Sequence, residues 1–131
     1  MQAAPSSAPP STATAAEAAP VLTKAVIRAA RILGFTQRDV AATLGLSEAS
    51  ASRLFAGKYV LDPSRAKEWE LGLLFVRLYR SLDALWGHEE TARRWLDGDN
   101  LALGAAPRTL VRNVEGLVRV VACLDAARSR V

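Results

Sequence analysis

Side chains able to carry covalent chemistry are scarce in this chain. It has one histidine, His88, and one cysteine, Cys123. No Ser/His/Asp set, Gly-rich phosphate loop or metal-spaced group of ligands occurs. Two carboxylate pairs, Glu89-Glu90 and Asp97/Asp99, sit among turn and helix-start residues and are more simply solvated. The expectation is a protein with no catalytic residue, no cofactor and no metal site. What the chain does carry is a set of side chains suited to non-covalent recognition: Thr36, Gln37, Ser47, Glu48, Ser50, Ser52, Arg53 and Lys58. Hydroxyls, an amide and cations of this kind reach phosphate oxygens and base edges.

Two short helices joined by a tight turn would hold that set in place. Thr36 can cap the first helix, with Asp39 three residues on as a weak capping box. Val40, Ala41 and Leu44 recur at helical spacing and point to a core. Gly45 can close the helix in the left-handed conformation, and Ser47 can cap the next one. Ala51, Leu54 and Phe55 would face inward. Glu48, Ala49, Ser50, Ser52 and Arg53 would remain outside, free to lie in a major groove, with Gln37 placed to touch a phosphate. An ordinary αα-hairpin with a glycine turn is the bland alternative. Thr36-Gln37, Ala41, Leu44-Gly45, Ser47 and Arg53 together resemble the Xre/lambda-repressor class of DNA-binding domains.

The whole chain bounds what can surround this unit. Of 131 residues, half are hydrophobic and 23% charged, enough for one compact domain or two very small ones sharing a core. No β-branched run alternates with polar residues, so the predicted class is all-α. The formal charge is +4 and the isoelectric point about 9.8. The excess lies between Val21 and Leu61, where six Lys/Arg face only Asp39 and Glu48. That is the footprint of a phosphate-binding face, although charged helix faces are often merely solvated. Cys123, among Val121, Ala122 and Leu124, reads as a small buried hydrophobe. A lone cysteine forms no internal disulfide, which fits a reducing cytoplasm. No apolar run approaches the roughly 18 residues of a membrane span.

Residues 1–20 are Ala, Pro, Ser and Thr after Met1 and Gln2, with one charge, Glu17, and are expected to be a disordered arm rather than a signal peptide. A helix is predicted over Val21–Leu33, completing a DNA-binding unit over 21–61. A helical dimerisation and partner-binding unit is expected over 62–131. Asp62 is expected to cap a long helix with Pro63 at its first position, running to about Trp86. That helix is apolar over more than half its girth, which calls for cover on two sides, one of them by a second copy or a partner. A short helix follows over His88–Leu96, then the turn cluster Asp97 to Asn100. Another helix is predicted from Pro107 to about Asn113, with Glu115-Gly116 separating it from a last helix built on Leu117, Val120, Val121 and Leu124.

In this second half, the run Tyr79-Arg-Ser-Leu-Asp-Ala-Leu is followed by Ala92-Arg-Arg-Trp-Leu96. Then come Asn100-Leu-Ala-Leu-Gly104, Pro107, Leu110-Val111, and Glu115-Gly116 before Val118-Arg-Val-Val121. These residues resemble the C-terminal toxin-binding domain of the MbcA/ParS/Xre antitoxins. One departure is visible: Gly104-Ala-Ala-Pro107 lacks the Gly-Gly or Gly-x-Thr-Pro that the family often has. The resemblance implies a type II antitoxin that dimerises, covers the NAD pocket of a RES-domain toxin, forms a larger hetero-oligomer with it and sits on operator DNA. Trp95, Asn100, Leu103, Gly104, Arg128 and Arg130 are the candidate toxin-binding residues. Plainer roles stand beside these: core packing for Trp95, a turn for Asn100, a frayed terminus for Arg128 and Arg130. A helix-turn-helix regulator whose C-terminal half only dimerises or senses a ligand is the alternative function.

Overall fold

The computed structural model describes residues 12–130, and the side chains of residues 12–15 are left aside. The expected arm therefore lies outside the described residues for positions 1–11. For positions 12–20 it is corrected. Helix α1 spans Thr12–Leu33 and carries Pro20 inside it. The Ala-rich stretch before Pro20 has high helix propensity. Pro20 withholds one backbone donor from the carbonyl of Ala16, and both residues are exposed, so water can replace that bond. Ala19 is buried, and its carbonyl accepts the Thr23 hydroxyl at 2.7 Å. The same Thr23 oxygen accepts the N–H of Leu61 at 3.0 Å, which ties α1 to a segment 38 residues further along the chain.

Six more helices follow among the described residues: α2 Gln37–Leu44, α3 Glu48–Phe55, α4 Ala66–Trp86, α5 Glu89–Asp97, α6 Pro107–Leu110 and α7 Val114–Ser129. No strand occurs among them, in keeping with the all-α prediction. Helix α4 is the central post. It packs against α1, α2, α5 and α7, and one apolar cluster runs through all of them. Phe75 is fully buried in that cluster, as are Leu33, Leu44, Leu78, Leu82, Leu96, Leu117 and Leu124. Phe35 meets Phe75 edge-on, ring centroids 5.1 Å apart. The long helix is thus covered on two sides by its own chain. Leu73 is exposed and Trp69 half-buried, beside the exposed Val21 of α1.

Two helix starts differ from prediction. Asp62 does not cap α4, which begins at Ala66 with Arg65 in the cap position and no side-chain cap bond. The Asp62 carboxylate is taken by Ser64, accepting its N–H at 2.9 Å and its hydroxyl at 2.7 Å, so Asp62 to Arg65 forms a turn. Those two bonds hold its pKa below the ordinary carboxylate value. Glu68, buried in the first turn of α4, reaches back to accept the Asp62 N–H and the Tyr59 hydroxyl. Burial, then the bond to Glu68, pushes the Tyr59 phenol up to about 12.

The second correction concerns Glu115-Gly116, which do not separate α6 from α7. The short helix from Pro107 stops at Leu110, three residues before the expected Asn113. Asn113 is instead the cap of α7, its side chain accepting the Gly116 N–H at 2.8 Å. Gly116 lies inside the first turn because α6 crosses there: a Cβ at this position would stand 1.8 Å from the Leu110 carbonyl oxygen. A glycine that reads as a break is a contact point between two helices.

Candidate DNA interface and partner-binding face

The helix-turn-helix is built by the local bonds that its sequence suggests. Thr36 accepts the Asp39 N–H at 3.1 Å and Asp39 accepts the Thr36 N–H at 2.9 Å, closing the capping box. Gly45 takes φ 70°, and its N–H and that of Leu46 both reach the Ala41 carbonyl. Ser47 accepts the Ser50 N–H at 3.0 Å and donates its hydroxyl to the Ser50 oxygen. Ala51 and Leu54 are fully buried, so α3 is held by one face and shows the other.

These bonds divide the eight candidate DNA residues into two groups. Thr36, Ser47 and Ser50 spend side-chain bonds on shaping the unit. Glu48 lies 3.7 Å from Arg38, an exposed pair of little energetic weight. Gln37, Ser52, Arg53 and Lys58 are exposed and free to meet a ligand. The one bond of Arg53, to the Lys58 carbonyl at 3.4 Å, is long and easily exchanged.

The C-terminal half presents a different kind of face. Asn100 accepts the Leu103 N–H on its side chain at 3.1 Å and the Gly104 N–H on its carbonyl at 2.8 Å. Gly104 completes the turn at φ 88°, a backbone that side chains disfavour. Arg119 of α7 pins the turn from outside, donating to the Leu103 carbonyl at 3.1 Å. Leu103 points in and is buried, whereas Leu101 at the tip is completely exposed. Val114 and Val118, one turn apart on α7, are also exposed. Sequence reading missed Leu101, although a leucine inside a polar turn cluster was the available signal. It missed the two valines because they share a helix with a strong inward stripe.

The other candidates spread apart. Trp95 is half-buried and stacks on Trp86 at 5.5 Å, joining α5 to α4. Arg128 is not a loose end, since it donates to the Ser81 hydroxyl at 3.1 Å beside the Arg77–Asp125 pair. It stands nine residues beyond Arg119 on α7, about 13 Å along the axis. Arg130 is exposed at the end of that helix. The Leu101 turn and the two terminal arginines are therefore separate patches, not one.

Three arginines bind the halves together. Arg93 of α5 donates to the carbonyls of Ile32 at 2.7 Å and Arg31 at 3.1 Å. Arg108 of α6 donates to Leu33 at 2.8 Å, Gly34 at 3.3 Å and the Asp97 carboxylate at 2.5 Å, over the face of Phe35. Arg112 lies 3.6 Å from Asp39. The last carbonyls of α1, which have no partner within their own helix, are thus capped by side chains more than 60 residues away.

Among the described residues, no group of three or more His, Cys, Asp or Glu could hold a metal ion, and no helix is long and apolar enough to cross a membrane. Comparison with protein families matches residues 13–77 to the antitoxin Xre-like helix-turn-helix domain. Residues 81–130 match the antitoxin Xre/MbcA/ParS C-terminal toxin-binding domain. The two matches meet inside α4, the helix that carries the shared core. No curated protein matches the chain significantly. With a reading helix in the first matched region and the pinned Leu101 turn in the second, the chain belongs to the Xre/MbcA/ParS antitoxin family, type II antitoxins that pair a DNA-binding helix-turn-helix with a toxin-binding domain.

Proposed function

We propose that the protein neutralises a RES-domain, NAD-consuming toxin by covering its active site, and represses its own operon as a cytoplasmic homodimer bound to operator DNA. It has no chemistry of its own in this reading. The observation that supports the toxin half most is Leu101: a fully exposed leucine on a turn held by three hydrogen bonds, inside the toxin-binding module. A preorganised apolar tip loses little entropy on docking and gains by burying its surface. Val114 and Val118 extend the apolar contact. Arg128 and Arg130 would supply the cations that face an NAD pyrophosphate. Trp95, Asn100, Leu103 and Gly104 act by shaping the turn and the helix that carry these contacts.

The test is co-expression with the neighbouring gene product, size measurement of the complex and an NAD-consumption assay. Wild-type protein should suppress NAD loss. Leu101→Asp should raise the concentration needed for half suppression at least about tenfold, because one buried leucine contributes about 1.5–3 kcal/mol. The variant should melt as the wild type does, since the side chain touches solvent only. Equal suppression by both would remove Leu101 from the interface.

On the DNA side, Gln37, Ser52, Arg53 and Lys58 are the proposed direct contacts, while Thr36, Ser47, Glu48 and Ser50 shape or flank the reading helix. Arg53→Ala should weaken binding to the promoter duplex by about 1–3 kcal/mol, measured by fluorescence anisotropy, without lowering the melting temperature. An unchanged affinity would mean that α3 reads with another face. The homodimer has room across α1 and α4. There Val21 and Leu73 flank an apolar groove of about 540 Å³ that is lined by Trp69 and Val76 and lies largely outside the toxin-binding match. That groove also supports the second reading, a regulator that only dimerises or senses a ligand. NAD consumption that continues unchanged in the presence of the protein would favour it.

A further inference from the structure

We propose that the outer face of α1 is a second DNA-backbone surface, which continues the grip of α3 along one strand flanking the operator. The inference rests on the DNA-binding reading above. Lys24, Arg28 and Arg31 stand at i, i+4 and i+7 on α1 and so share one face. All three are exposed, and none has a carboxylate within ion-pair distance among the described residues. Elsewhere Arg38, Arg65, Arg77, Arg94, Arg108 and Arg112 each have an acidic partner. A stripe of charges left unpaired on one face is available to an external anion.

Its position says which anion. The stripe borders a groove of about 630 Å³ between α1 and the end of α3, floored by Ile27 and Phe55. The Arg31 guanidinium lies 6.0 Å from the centroid of the Phe55 ring, the last residue of the reading helix. Gly57 lines the same groove, and a Cβ there would meet nothing within 4 Å, so its side of the groove is open. Lys58 follows directly. Lys24, Arg28 and Arg31 thus line one groove that reaches the end of α3 at Phe55 and Gly57. Seven helical residues rise about 10 Å, and phosphates of one strand advance about 3.4 Å each, so the stripe spans about three phosphates. Glu89 is the one acid lining the groove. A cationic stripe that borders the end of α3, with one acid beside it, fits the backbone of a duplex already held by that helix.

The experiment compares wild-type protein with the triple variant Lys24→Gln, Arg28→Gln, Arg31→Gln. Glutamine keeps helix propensity at exposed sites, so the variant folds. Affinity is measured against salt for a promoter duplex with long flanks and for an unrelated duplex of equal length. The slope of log affinity against log salt should become shallower by about 2–3, at about 0.9 for each lost phosphate contact. Affinity for both duplexes should fall by the same factor, and co-purification with the neighbouring toxin should be unchanged. A charge-keeping variant, Lys24→Arg with Arg28→Lys and Arg31→Lys, should retain the slope. Wild-type and glutamine slopes that coincide would overturn the proposal while leaving α3 as a reader. Loss of toxin co-purification with the DNA slope intact would assign the stripe to the toxin instead. Wild-type protein that bound no duplex would sink the DNA-binding reading itself, and this inference with it.

Discussion

Replacing Gly116 by alanine is expected to destabilise the protein by about 3 kcal/mol or more, at the upper end of what overpacking costs. The added methyl would stand 1.8 Å from the Leu110 carbonyl oxygen and 2.6 Å from its carbon. Neither atom is the end of a flexible side chain. Both belong to the backbone where α6 ends, and Val111 just beyond is fully buried. Relief requires α6 and α7 to part. That would weaken the Asn113 cap, whose partner is the Gly116 N–H itself. For a chain of this size the loss corresponds to a fall of about 10 °C in melting temperature. Toxin binding should fall with it, because Arg119 of α7 holds the turn that carries Leu101. Circular dichroism melts of purified wild type and Gly116→Ala decide the matter. A variant melting within about 2 °C of wild type would mean that the two helices do not cross as closely as described.

Arg108→Ala is the second large effect. It removes the bond to Asp97, the donors to the Leu33 and Gly34 carbonyls and the cation over Phe35, whose ring centroid is 4.8 Å away. The side chain is only 21% exposed, so these are partly desolvated contacts rather than a surface ion pair. A loss of about 2–3 kcal/mol follows, mostly from leaving the helix-end carbonyls without a donor and from the lost packing on Phe35, since the exposed Asp97 carboxylate is taken up by water. Arg108→Lys should recover less than half of it. A single ammonium cannot match a planar fork that meets two carbonyls and a carboxylate while stacking on a ring. The functional consequence is distinctive. Gly34 and Phe35 lead directly into the capping box of α2, so operator affinity should fall although no reading residue has changed. Urea unfolding and promoter-duplex titration on Arg108→Ala and Arg108→Lys check both statements. Full recovery of both readouts by lysine would show that charge alone matters there.

These two positions show where sequence reading stops. In the sequence Gly116 reads as a break, because a glycine there reports only missing helix propensity. Whether it marks a turn or a close approach depends on what crosses it. Pro20 misled in the same way. Its effect on a helix is a loss of one bond, and the burial of Ala19 and the Thr23 link outweigh it. Asp62 has the chemistry of a cap, but Ser64 stands two residues away and takes the carboxylate first.

What the amino-acid order determined alone is the helix-turn-helix and the turn at Asn100, together with the all-α class. Their bonds join residues three to five apart, Thr36 with Asp39, Gly45 and Leu46 with Ala41, Ser47 with Ser50, Asn100 with Leu103. Interactions that short depend little on how the rest of the chain packs. Tertiary structure alone decided that Arg93 and Arg108 cap α1, that Leu101 stands in solvent while Leu103 does not, and that Arg31, Arg28 and Lys24 run on from the end of α3. Each of these depends on which helix faces which. Packing around Phe75 selects that arrangement from many that the same local preferences allow.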